Sequence, residues 1–178
     1  MAQQGGRGMA FETLINHANA IYRQRGLAVV QKRPTPIKIL RTNGTRIVSA
    51  VLESASTVDY EGVYRGRSLQ FEAKSTREKR FDLKNLLPHQ VEHLRACAAQ
   101  GALCFVLVEF TEQQRIYLLP GERMLLAWDA SQHGGAKSIP LKDIEQSCFP
   151  VQQGRGVLVD YLAAVELWSG GWSVGVLS

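Results

Sequence analysis

Ser68-Leu69-Gln70-Phe71-Glu72-Ala73-Lys74 alternates apolar and polar side chains, the period of a β-strand with one face in a core. Downstream, residues 75–87 are basic with weak periodicity and are expected to be mostly loop. Pro88–Gln100 has a helical pattern with proline in its first turn and Gly101 after its end. Ala102–Phe110 is almost continuously apolar, as in a strand buried on both faces. A strand is predicted at Gln114–Leu119, helices at about 120–129, 140–146 and 158–168, and a loop at Gly134–Lys137. Upstream, Ser54–Tyr60 runs into an expected turn bounded by Gly62 and Gly66. Asn43-Gly44 between Ile37–Leu40 and Ile47–Leu52 signals a β-hairpin. Pro34-Thr35-Pro36 separates it from a short strand at Leu27–Gln31, and Met9 to Arg25 has helical spacing with Gly26 as its stop. The order predicts an α/β protein, a mixed sheet with helices on its faces.

With 178 residues and 45% hydrophobic content, the chain is expected to form one domain with a substantial core. The expected division is a flexible arm at 1–8, a domain at 9–168 with the hairpin at about 36–53, and a loose tail at 169–178. Three cysteines form no CxxC pair and no even disulfide framework. No segment has the length and apolarity of a membrane helix, and the first residues lack the apolar run of a signal peptide. A cytoplasmic protein is therefore expected. There is no GxxxxGK loop and no GxGxxG after a strand, which argues against nucleotide hydrolysis and dinucleotide binding. His89 and His93 lie at i, i+4 without a third zinc ligand.

The formal net charge of +5 conceals an asymmetry. Residues 1–89 hold 15 basic and 7 acidic side chains, and no acid lies between Glu12 and Glu53. Arg23, Arg25, Lys32, Arg33, Lys38, Arg41 and Arg46 fall in that stretch, and Arg65, Arg67, Lys74, Arg77, Lys79, Arg80 and Lys84 follow. Such one-sided charge suits a polyanion, most commonly nucleic acid.

On a strand, Glu72 and Lys74 share a face about 6.6 Å apart, with Phe71 and Ala73 on the other. Asp59 ends the preceding extended segment, so pairing of the two segments would bring both carboxylates together at the sheet edge beside one ammonium. Two close carboxylates call for a cation, and oxygen ligands suit a hard divalent ion. The ion would activate water, and the lysine would orient that water or stabilise charge at phosphorus. This is the D-(x)n-(D/E)-x-K pattern of nucleases. Asp82-Leu83-Lys84 matches it a second time, but in a stretch without clean alternation.

The chain also resembles the RecU-type Holliday junction resolvases. The similarity is carried by Arg7-Gly8-Met9-Ala10-Phe11-Glu12, Lys32-Arg33-Pro34-Thr35-Pro36, Ser56 through Arg67, Phe71-Glu72-Ala73-Lys74 and His89-Gln90-Val91-Glu92-His93. It continues through Gly101–Phe110, Trp128-Asp129, Lys137-Ser138-Ile139 and Asp160-Tyr161. The resemblance implies a restriction-endonuclease-like core whose basic hairpin projects as a stalk towards a four-way junction. It implies catalytic roles for Asp59, Glu72, Lys74 and Glu12, and Mg2+, with Mn2+ as a substitute, on Thr57, Asp59, Glu72 and Gln90. DNA contacts are expected from Lys32, Arg33, Lys38, Arg46, Arg65, Arg67 and Arg77. A homodimer is implied, with recombinases and branch-migration proteins as further partners in recombination and repair. The arm before Met9 and the stretch from Arg46 to Asp59 are shorter than in typical members, which bears on junction selectivity. Two other functions stay open: a related nuclease for duplex or flapped DNA, and a non-catalytic junction-binding modulator of recombination.

Overall fold

The computed structural model describes residues 4–34, 36–52 and 57–170. The first helix, α1 (Gln4–Gln24), starts before the expected Met9. It buries Phe11, Ile15, Ala18 and Tyr22 as one stripe, and Gly26, at φ 66°, follows its last turn. β1 (Ala28–Lys32) comes next. β2 (Ile37–Asn43) and β3 (Arg46–Leu52) then form the expected hairpin, a two-stranded sheet of their own closed at Asn43↔Arg46. β4 (Tyr60–Tyr64) and β5 (Arg67–Thr76) follow, then β6 (Arg80–Asp82) and a 3-10 turn at Leu83–Asn85. The second half runs α2 (Pro88–Ala99), β7 (Leu103–Phe110), β8 (Arg115–Pro120) and α3 (Gly121–Gln132). It closes with β9 (Ser138–Pro140), α4 (Leu141–Ser147), β10 (Phe149–Val151) and α5 (Tyr161–Trp168).

The principal sheet has the order β1-β4-β5-β7-β8-β10. β5 and β7 are parallel, with α2 in the connection between them, and the other pairs are antiparallel. The expected α/β class, a mixed sheet with helices on its faces, is what the chain forms. β7 is buried on both faces: Leu103, Phe105 and Leu107 join the α1 and α5 side, while Cys104, Val106 and Val108 join the α2 and α3 side. Tyr60, Phe71 and Phe105 stack in sequence across β4, β5 and β7, with centroids 4.8 and 4.6 Å apart.

Three expectations are corrected. Gly62 is not a turn residue but the middle of β4, opposite Val30 of β1. A Cβ there would meet the Val29 carbonyl and come within 2.7 Å of the Val30 Cα, so glycine is what lets β1 pair with β4. Residues 75–87 are not mostly loop, because β6 pairs with β9 and the 3-10 turn follows. β9 and β10 were not expected at all; at three residues each, they are too short to show a period. Of the expected tail, residues 171–178 lie outside the described residues, as do Thr35 and residues 53–56 of the segment that returns from the hairpin.

Candidate active site

β4 and β5 pair with Tyr60 opposite Phe71, which sets Asp59 across from Glu72 at the start of β4. The Asp59 amide donates to Glu72 Oε1 at 3.0 Å, and the Ala73 amide donates to Asp59 Oδ2 at 3.1 Å. Lys74 Nζ stands between the two carboxylates, 2.7 Å from Glu72 Oε2 and 3.3 Å from Asp59 Oδ2. The three side chains therefore converge. They do so on an interior strand where the neighbouring β4 begins, not at the edge of the sheet, since β5 lies between β4 and β7.

Alternation explains the burial. Phe71 points into the α1-side core, while Glu72 faces α2 with its side chain wholly buried. Gln90, on the first turn of α2, donates its amide nitrogen to Glu72 Oε2 at 2.8 Å, and its carbonyl oxygen accepts from the Leu87 amide at 2.9 Å. Burial, reinforced by Asp59, pushes the Glu72 carboxyl up to about 8. For Lys74, burial works against the charge, but Glu72 and Asp59 outweigh it and hold the ammonium above its ordinary value. The Lys74 ammonium thus sits where two carboxylates would offer a divalent cation its place.

The other expected residues divide by position. Lys32 of β1 is opposite Tyr60, and the Arg33 amide donates to the Asp59 carbonyl at 2.9 Å. Lys32 also forms an ion pair with Glu12 of α1, and Arg33 pairs with Glu61 at 3.2 Å. Glu12, Lys32 and Arg33 therefore lie at the same end of the sheet as Asp59, and the hairpin departs from that end. Among the described residues no three His, Cys, Asp or Glu side chains form one cluster; the acids that meet through Lys74 are the pair Asp59 and Glu72. The Thr57 hydroxyl, two residues before Asp59, is buried and has no hydrogen-bond partner among the described residues.

Lys38 and Arg46 are exposed on the hairpin, and Arg77 is exposed just beyond β5. Arg67 starts β5, five and seven residues or roughly 17–23 Å from Glu72 and Lys74, and Arg65 lies in the turn just before it, at the same far end. There Arg65 pairs with Glu166 at 3.1 Å and covers the Tyr64 ring, while Arg67 donates to the Gly101 carbonyl. Neither is brought to the site.

Sequence reasoning missed Tyr60. Its buried ring faces the α1-side core and its hydroxyl donates to the Glu12 carbonyl at 3.4 Å, tying α1 to the strand beside Asp59. Burial first, then Glu12 and Asp59, raise its pKa far above the ordinary phenol value. Its place next to Asp59, on the inward face of the strand, was the available signal.

An α/β sheet that joins an acid at one strand's start to an acid-x-lysine pair on the next carries the pattern of the acid–acid–lysine nucleases. The family profile described as Recombination protein U matches residues 6–167. The chain belongs to that family. The Holliday junction resolvase RecU of Limosilactobacillus reuteri (strain DSM 20016) is 43% identical over 166 residues, covering 90% of this chain and 81% of the relative. That of Levilactobacillus brevis is 42% identical over 168 residues, covering 91% and 84%. Among solved structures, the Archaeoglobus fulgidus Holliday junction resolvase Hjc aligns with a TM-score of 0.40 at 14% identity, covering 65% of this chain and 74% of its own.

Proposed function

We propose that this protein is a divalent-cation-dependent endonuclease that nicks opposed strands of four-way DNA junctions, serving recombination and repair in the cytoplasm. The observation that carries this is the convergence of Asp59, Glu72 and Lys74 where β4 meets β5. Family membership and relatives named Holliday junction resolvase support the choice of substrate. No helix among the described residues is long and apolar enough to cross a membrane.

The donor set fits a hard cation through two carboxylates and the Thr57 hydroxyl left without a partner among the described residues; Gln90 meets Glu72 with its NH2 group, so it would join as a ligand only by turning its carbonyl oxygen away from the Leu87 amide. Thr57, Asp59, Glu72 and Gln90 would hold Mg2+, with Mn2+ able to replace it. Such an ion supplies a more acidic bound water and neutralises charge on the scissile phosphate. Lys74, which bridges the carboxylates, would be released by an ion held there and would then face the phosphate, where its ammonium would orient the attacking water or stabilise the charge gathering at phosphorus. Gln90 keeps Glu72 oriented, and Tyr60 holds Glu12 and α1 beside the site.

Lys32, Arg33, Lys38, Arg46 and Arg77 supply phosphate contacts, so binding weakens steeply with salt. Selectivity comes from the junction's shape. The acid-free hairpin leaves the sheet beside Asp59 and reaches towards the junction centre. Each chain has one such site and makes one cut, so symmetric resolution requires a homodimer with a two-fold axis. Recombinases and branch-migration proteins are the expected further partners.

A labelled four-way junction, a duplex and a flap, each incubated with and without Mg2+, test this. Paired nicks near the junction centre, dependent on the cation, are expected. Equal cutting of the duplex would point to a different nuclease, and binding without cutting to a non-catalytic modulator.

The raised pKa of Glu72 gives a pH prediction. The folded chain holds this proton up to about pH 8 whereas an exposed carboxyl releases it near pH 4.5, so without cation its contribution to stability falls as pH rises through that window. A divalent cation competes with the proton, so the rise in Tm on adding Mg2+ or Mn2+ should be small at pH 6 and larger above pH 8. Differential scanning calorimetry across that range checks it; a cation-induced shift that shrinks with rising pH would contradict it.

A further inference from the structure

Asp82-Leu83-Lys84, the second acid-x-lysine match, lies outside the site just described. Asp82 ends β6 and pairs through its carboxylate with Arg80 at 2.9 Å and Lys84 at 3.8 Å. The pairing of Asp82 with Ser138, and the Leu83 amide donating to the Lys137 carbonyl at 3.0 Å, bring Lys137 to the same place. These residues line a groove of about 620 Å3 against the end of α3, with Trp128 and Ser131 on its far wall. Lys137 reaches the Ser131 carbonyl, whereas the Arg80 and Lys84 side chains, though paired with Asp82, are 52% and 81% exposed. Three cations and one acid leave the groove positive, and exposed Arg77 and Lys79, with Glu78 between them, flank it with a further net charge of one.

The groove is tied to the active-site strand through Thr76. Thr76, two residues or about 7 Å beyond Lys74 on β5, donates its hydroxyl to the Arg80 carbonyl at 3.4 Å. A polyanion lying over Lys74 would therefore meet Arg80 next and then Lys84 and Lys137. Trp128 packs one side against the α2- and α3-side core and still lines the groove, so the part of its ring left uncovered is a surface on which an unstacked base can lie.

We infer that the groove between β6, the 3-10 turn and α3 is the track for the DNA strand leaving the scissile phosphate, with Arg80, Lys84 and Lys137 on its phosphates and Trp128 against a base. This rests on the nuclease function proposed above and extends the DNA surface to residues outside the basic set expected there. It also gives the two acid-x-lysine segments different tasks. In Glu72-Ala73-Lys74 the acid is buried and turned to chemistry. In Asp82-Leu83-Lys84 it is a surface clip that spaces two cations.

The test is a titration of a fluorescein-labelled four-way junction with the whole chain, without divalent cation, over a range of salt concentrations. Arg80→Ala/Lys84→Ala should bind about tenfold or more weakly than the parent at 0.1 M salt. Its plot of log affinity against log salt should be shallower by about 1.8, roughly 0.9 for each phosphate contact removed. Cation binding at Asp59 and Glu72, followed by calorimetry, should match the parent and so show that the site is intact. Trp128→Phe should lose most of the tryptophan quenching that junction DNA produces in the parent. A double variant with the parent's affinity and slope, or quenching unchanged in Trp128→Phe, would overturn the groove assignment while leaving a cutting parent chain in place. A parent chain that neither binds nor cuts junctions would overturn both the groove and the nuclease function.

Discussion

Asp59→Asn is expected to cut a four-way junction at no more than about a thousandth of the parent's rate, a loss of about 4 kcal/mol of transition-state stabilisation. The substitution is nearly isosteric. Its carbonyl oxygen can still accept from the Ala73 amide, and the Asp59 main chain can still donate to Glu72. What disappears is the negative charge of Asp59 facing the Lys74 ammonium, the same charge that helps to hold the Glu72 carboxyl up. The Asp59 side chain is only a quarter exposed, and losing its ion pair should cost on the order of 1 kcal/mol of stability, offset in part because Glu72, released from the Asp59 charge, ionises more readily and pairs with Lys74. Junction affinity should be equal or higher, since a negative charge beside the phosphate has been removed. Single-turnover cutting and a binding titration on the same preparation separate these effects. Parent-like cutting by Asp59→Asn would remove this carboxylate from the chemistry.

Lys74→Met has a different signature. Cutting should fall about 100- to 1000-fold with the loss of charge stabilisation at phosphorus, while affinity for Mg2+ or Mn2+ should rise. The ammonium occupies the space between Asp59 and Glu72, so a cation entering there must displace it in the parent but not in the variant. Without cation the variant leaves Glu72 wholly buried with no counter-charge, so its carboxyl is pushed up further and binds a proton more strongly; that proton opposes the cation, so the gain in cation affinity should grow with rising pH. Isothermal titration of the cation, paired with cleavage rates, reads both. Weaker cation binding in Lys74→Met would show that the lysine helps to hold the ion instead of competing with it.

The two predictions depend on features that differ in how plainly they were written in the sequence. The alternation from Ser68 to Lys74 put Glu72 and Lys74 on one face, because a strand's period of two leaves no other arrangement. Asn43-Gly44 similarly marked the hairpin, where Gly44 has φ 59°. Pairing of Asp59 with Glu72 was conditional on β4 existing, and Gly62 concealed that strand by imitating a turn residue. Its reason is tertiary: β1 passes too close for any Cβ. β6, β9 and β10 were hidden by their length, since a three-residue strand is defined by its partner and not by its own pattern. The basic residues show the opposite weakness. Net charge identified a polyanion partner but could not separate Arg65 and Arg67, tethered to Glu166 and Gly101, from Lys32 and Arg33 beside Asp59. Only the fold sorts them.

The most direct measurement is a crystal structure of the parent chain soaked in Mn2+, with anomalous scattering used to locate the ion. A peak coordinated by Asp59 and Glu72, with the Lys74 ammonium withdrawn from between them, is the predicted result. Mn2+ bound elsewhere, with Lys74 still bridging the two carboxylates at saturating ion, would contradict it.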